Sequence, residues 1–252
     1  HVYIAGDASP SFLYCEFISG YADTGGALYL DDGTAAVVSS EFTANASYYN
    51  GGAVYLSPDE SLTLEDTDFE GNVGTYTHGA ALYTGQGASL VISGGRFQSN
   101  YATYWTSGYA GGAVLLGDGT TAEISGATFD GNTAYYGGAV SAGADVVLTG
   151  SGNTFEENGG YYGSAYYVQD AALTEHGSTF TGNTVSYEGT IYATGATLQL
   201  SDSAFNANTV GAYGGGISAR SDSVVDLVAV DFTGNAGTYG GALYLYDGGD
   251  AS

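Results

Sequence analysis

Residues 129–140 read FDGNTAYYGGAV. Phe129 is followed three residues later by Asn132, then by a Tyr-Tyr pair and a Gly-Gly-Ala-Val run. Little in the stretch could perform chemistry, yet its phrases return along the whole chain. Phe recurs at 17, 42, 69, 97, 129, 155, 180, 205 and 232, at intervals of 25, 27, 28, 32, 26, 25, 25 and 27. Eight of the nine carry Asn at the third following position: Asn45, Asn72, Asn100, Asn132, Asn158, Asn183, Asn208 and Asn235. Gly20 takes that place after Phe17. A second phrase follows each time: GGALYL at 25–30, GGAVYL at 51–56, HGAALY at 78–83, GGAVLL at 111–116 and GGAVSA at 137–142, then GSAYYV at 163–168, EGTIYA at 188–193, GGGISA at 214–219 and GGALYL at 240–245. A fixed period of this size marks a repeat architecture.

Between the phrases lie alternating stretches such as SLTLED (61–66), SLVIS (89–93) and TLQLS (197–201). Period-two patterning bounded by Gly, Asn and Asp predicts strands. Each repeat is expected to hold about three short strands. A unit this small cannot bury its own apolar face, so successive units must stack. The expected fold is all-β: a right-handed parallel β-helix of about nine coils of 25–28 residues, filling residues 1–252 as one array. At ~4.8 Å per rung the rod is roughly 43 Å long.

Positions two before each Phe are mostly small, and Cys15 belongs to them, which predicts a small buried residue. Five and seven before Phe come pairs such as Leu64/Leu62, Ile92/Leu90 and Leu200/Leu198, the second inward strand. The repeats ending at Phe155 and Phe180 break this pattern and predict bends displaced by about two residues. The Asn column is expected to form a structural ladder, each side-chain amide bonding its counterpart in the next coil.

Phe-x-x-Asn paired with Gly-Gly-Ala-(Ile/Leu/Val) resembles the repeats of the chlamydial polymorphic outer membrane proteins and related secreted β-helix proteins. The resemblance covers nearly the whole chain. It implies a surface-exposed, adhesive passenger β-helix exported through the envelope.

The chain's 27 acidic residues against 2 basic ones give a formal charge of −25. Such a surface repels nucleic acid and anionic lipid, which bind through Lys and Arg. Disorder is excluded by the 44% hydrophobic and 14% aromatic content. No apolar run is long enough to span a membrane. One cysteine forms no internal disulfide. Few basic residues with abundant Gly, Thr, Ser and Tyr suit extracellular or cell-surface material.

Enzymatic chemistry is not expected. Polysaccharide lyases of this fold need an Arg or Lys base, and only Arg96 and Arg220 are present, on different coils. Hydrolases need clustered carboxylates on one face. His78 and His176 read as corner or surface residues. No cofactor is required, though Ca²⁺ could relieve repulsion at the acidic bends Asp31, Asp32, Asp59, Asp118, Asp247 and Asp250. Ordinary Asp-Gly turns on a solvated acidic surface are the preferred account of them.

Tyrosine is the notable excess, at 24 residues. One set precedes the corner: Tyr49, Tyr76, Tyr109, Tyr136, Tyr162, Tyr187, Tyr213 and Tyr239. A second, Tyr29, Tyr55, Tyr167, Tyr192 and Tyr244, falls at an outward strand position. Such columns either stabilise the rod or form a contact face. The longest repeat, NYATYWTSGYAGG, holds the only Trp, which makes Tyr101, Tyr104, Trp105 and Tyr109 the expected contact patch. Partners are then a surface or glycan, or a second copy. Residues 1–7 and the closing LYLYDGGDAS stop at the same place in the cycle, uncapped. That fits a window of a longer array, or ends that join copies into a filament. The function expected is a non-enzymatic structural or adhesive rod, with a carbohydrate-binding or polysaccharide-cleaving β-helix as the alternative.

Overall fold

The computed structural model describes residues 2–75, 79, 81–103, 110–247 and, in their strand pairing, 250 and 251. Strands from successive repeats line up into four parallel sheets of ten, ten, nine and eight members. Within the coil of Phe129 the four strands are Val114–Leu116, Thr121–Ser125, Thr128–Asp130 and Thr133–Tyr136. Thr128–Asp130 pairs in parallel with Arg96–Gln98 on one side and Thr154–Glu156 on the other. The coils before that of Phe232 thus hold four strands each where sequence predicts about three. The fourth is often only two residues long, as at Ala46–Ser47 and Val73–Gly74, too short to show an alternation.

Inward side chains stack in columns. The nine Phe rings lie on one another from Phe17 to Phe232, with successive centroids 4.4–5.0 Å apart and planes within 14° of parallel. Phe42 to Phe205 are fully buried. Beside them run Leu62, Leu90, Ala122, Leu148, Leu173, Leu198 and Val225, paired residue to residue across the second sheet. Each buried Leu or Phe contributes about 1.5–3 kcal/mol, so the rod is held together rung by rung.

The repeats ending at Phe155 and Phe180 are not displaced. Leu148 pairs with Leu173 and Gly150 with Glu175, in the same register as every other coil. The apolar pattern breaks because an inward position holds Gly150 in one coil and Glu175 in the next. A side chain at Gly150 would collide with the Glu175 carboxylate, so the space one coil leaves empty is filled by the other.

Bends use the left-handed region systematically. The residue before each Asn has positive φ, whether it is Gly131 at 62° and Gly182 at 63° or Ala44 and Ala207 at 53°. At the corner, Gly137 has φ 60°, and a Cβ on Gly138 would meet the carbonyl oxygen of Gly159 at 2.3 Å. Only Gly suits either place.

Candidate functional site

The Asn ladder is continuous over its eight members. Asn132 Nδ2 donates to Phe97 O at 2.8 Å and to Asn158 Oδ1 at 3.0 Å, while the Asn132 backbone N–H donates to the same Oδ1 at 3.0 Å. The pattern repeats from Asn45 through Asn72, Asn100, Asn158, Asn183 and Asn208 to Asn235. At the first rung Asn45 Oδ1 accepts from Gly20 N–H at 2.8 Å. From Asn45 to Asn208 these amides are buried and bonded on both sides, and Asn235 is half-buried, which makes them structure and not a binding row.

The outward strand column pairs Tyr3, Tyr29, Tyr55 and Tyr83 in register and later Tyr167 with Tyr192. Tyr55 and Tyr83 stack at 5.3 Å, Tyr167 and Tyr192 at 5.4 Å. Leu115, Ser141 and Ser218 interrupt the column before Tyr244. The column before the corner pairs Tyr136 with Tyr162. There the sequence expectation fails for Tyr187. A register shift between Gly160 and Tyr162 sets Glu188, not Tyr187, opposite Tyr162, and Glu188 in turn bridges to Tyr213. The one-residue insertion pushes Tyr187 aside, to lie parallel to Tyr161 at 5.4 Å and edge-on to Tyr213 at 5.7 Å.

Glu188 in this column is buried and pairs with Arg220 at 2.5 Å and with Ser218 Oγ at 3.1 Å. The Arg220 guanidinium sits 5.3 Å, 5.8 Å and 5.4 Å from the rings of Tyr213, Tyr244 and Tyr246, which enclose the cation. Burial raises the Glu188 carboxyl above its ordinary range, against the opposing pull of Arg220. Burial likewise pushes the Tyr162 phenol up to about 12, with the neighbouring phenols of Tyr135 and Tyr161 adding to it.

Of the predicted contact patch, Tyr104, Trp105 and Tyr109 lie outside the described residues, as do Tyr76 and His78. Tyr101 is exposed and borders a cleft of about 260 Å³ that is also lined by Tyr135, Tyr161, Gly159, Gly160 and Thr184. The cleft exists because the fourth sheet places Gly159 between Thr133 and Thr184, leaving a notch in an otherwise filled column.

The acidic bends do not converge. Asp31 accepts hydrogen bonds from Tyr3 and Tyr29 hydroxyls and from Ser57, and the Tyr3 bond holds its carboxyl below the usual range. Asp118 accepts from Ala144 N–H. The coil of Gln86 and Gly87 separates Asp118 from Asp59. Asp32 and Asp247 are further bend residues, Asp247 exposed, and the side chain of Asp250 lies outside the described set. Among the described residues no three of His, Cys, Asp and Glu come together as a metal cluster. Cys15 is half-buried and not enclosed as expected, because in the first coil its column neighbour, Ser40, covers one side only. His176 ends an in-register strand, exposed, with Ser201 Oγ 3.0 Å from Nδ1.

Sequence reasoning missed a buried polar cluster. Glu175 takes hydrogen bonds from Asn153 Nδ2 at 3.0 Å, Tyr166 Oη at 2.9 Å and Ser178 Oγ, and all four residues are buried. Its carboxyl is raised by burial, which outweighs the three donors. Three departures in adjacent coils were the available signal: Gly150 and Glu175 at an apolar position, and Tyr166 where Val or Ile stands.

Four parallel sheets wound into coils, with stacked inward columns, define a β-solenoid. The chain matches the family model described as a right handed beta helix region over residues 1–205, and it belongs to that family. No curated protein and no solved structure matches it.

Proposed function

We propose that this chain is a non-enzymatic extracellular rod with a structural or adhesive role, presenting an aromatic face. The observation that carries this reading is the outward tyrosine surface, held in register by the same pairing that builds the core. Tyr offers apolar area and a hydroxyl at small entropic cost, which suits contact with another surface. Both basic residues are committed to ion pairs, Arg96 with Asp130 and Arg220 with Glu188, which speaks against a lyase base. The likeness of the two repeat phrases to chlamydial polymorphic outer membrane protein repeats supports the same role.

The cleft beside Tyr101 favours a second reading, in which the rod binds a glycan. Binding to glycan arrays and to cell surfaces, with Tyr101→Ala, Tyr104→Ala and Trp105→Ala, tests the face. Loss of binding in these variants supports the adhesive role, and unchanged binding removes the patch. Turnover of any polysaccharide overturns the non-enzymatic reading. Electron microscopy of native material shows whether rods join end to end.

A further inference from the structure

We propose that Tyr135 and Tyr161 form an oxidative cross-linking site, at which a peroxide-driven one-electron oxidant joins two adjacent coils through a tyrosine–tyrosine carbon–carbon bond. Their rings stack at 4.7 Å with planes 6° apart, the closest parallel tyrosine pair among the described residues. They stand on neighbouring strands, Thr133–Tyr136 and Gly159–Tyr162, of one sheet. Both are half-buried, so they are reachable yet held. The notch at Gly159 and Gly160 opens beside them, giving a small oxidant access and the rings room to turn toward one another.

Composition directs oxidation to tyrosine. The chain has no Met, one Cys and one Trp against 24 Tyr. The stacked core is Phe, which does not give up an electron under such conditions. From Tyr161 the rings continue to Tyr187 at 5.4 Å, Tyr213 at 5.7 Å and Tyr244 at 4.6 Å. A radical formed anywhere on this row is therefore in ring contact with a route to the pair.

The step balances. Each phenol loses one electron and one proton to give a phenoxyl radical. The two radicals join at carbons ortho to oxygen, and the two ortho hydrogens shift to the oxygens to restore both phenols. Hydrogen peroxide takes up the two electrons and two protons and leaves as two waters. The product ties consecutive rungs covalently, whatever the rod's face binds.

The test treats the dilute full chain with a haem peroxidase and hydrogen peroxide, then reads dityrosine fluorescence and maps cross-linked peptides by mass. Expected is a monomeric product lighter by two hydrogens whose main cross-linked peptide joins Tyr135 to Tyr161. Tyr161→Phe keeps the ring stack and should cut the intrachain yield at least fivefold. Tyr14→Phe, at a residue 81% exposed, should leave it unchanged. Unfolding in urea before oxidation should abolish the selectivity. Cross-links found only between molecules, or an intrachain yield indifferent to Tyr161→Phe in a variant with native circular dichroism, would overturn the proposal.

Discussion

Asn158 Oδ1 accepts two hydrogen bonds from Asn132, one from the side-chain amide and one from the backbone N–H, both at 3.0 Å. One oxygen thereby fixes the side chain and the main chain of the coil before it. Removing such a residue strands partners on both sides. Asn132→Ala would leave Phe97 O without its donor and would take the acceptor from Asn100 N–H and Nδ2. The expected cost is about 2–4 kcal/mol, since each buried unsatisfied group costs ~1–3 kcal/mol. Asn45→Ala, whose oxygen serves only Gly20 N–H, should cost less. Urea unfolding of both variants checks the order, and equal losses would refute a ladder that acts cooperatively.

Glu175 predicts a pH dependence of definite sign. Its folded-state carboxyl is raised by burial above the unfolded value. Below the unfolded value it is protonated in both states and imposes no penalty. As pH rises through the folded value, the fold must ionise a buried group or hold a proton the unfolded chain releases, and stability falls. Glu175→Gln removes this term. The variant should be more stable than wild type at pH 7, with the gap closing toward pH 4. Glu175→Ala, which strands Asn153, Tyr166 and Ser178, should instead destabilise at every pH. Melting temperatures across pH 4–8 decide it, and a pH-independent difference for the Gln variant would contradict the assignment.

Arg220 and Glu188 are expected to behave as a unit. Arg220→Ala leaves a buried carboxylate without its cation, a loss of about 3–5 kcal/mol. Adding Glu188→Gln should recover much of it, because the amide needs no counter-charge. A double-mutant cycle measures the coupling. Additive losses would mean that packing of Tyr213, Tyr244 and Tyr246 around the guanidinium matters more than the ion pair.

Ala207 and Ala44 carry a strained φ of 53° where four other coils use Gly71, Gly131, Gly182 and Gly234. Ala207→Gly should therefore stabilise, by up to about 1 kcal/mol, as relief of the left-handed conformation exceeds the entropy lost by Gly. A lowered urea midpoint for this variant would show that the bend is not under strain.

Much of this fold was legible because a coil repeats its instructions. Phe129, Asn132 and Gly137 are each the same device seen eight or nine times, so period and register follow from spacing alone. What stayed hidden involved compensation between coils. Gly150 and Glu175 each look like an error in their own repeat and make sense only as neighbours. Tyr187 aligned by counting, but counting does not reveal a one-residue shift, which moved Glu188 into its column. The two-residue fourth strands were invisible because two residues cannot alternate. Of the aromatic face, the columns were readable, whereas the cleft arises from a missing side chain at Gly159.

The amide spine has a direction. Every Asn–Asn bond runs one way, from the amide N–H of one coil to the Oδ1 of the next, while the second N–H of each amide turns back to the Phe carbonyl of the coil before. The row is thus a vector of aligned bond dipoles along the rod axis, and its two faces are chemically unlike. One offers acceptors and the other donors, as with parallel strand edges. Any unit appended to this scaffold, by splicing or by docking, has to arrive head to tail, and a twofold-symmetric junction through the spine is ruled out by its polarity.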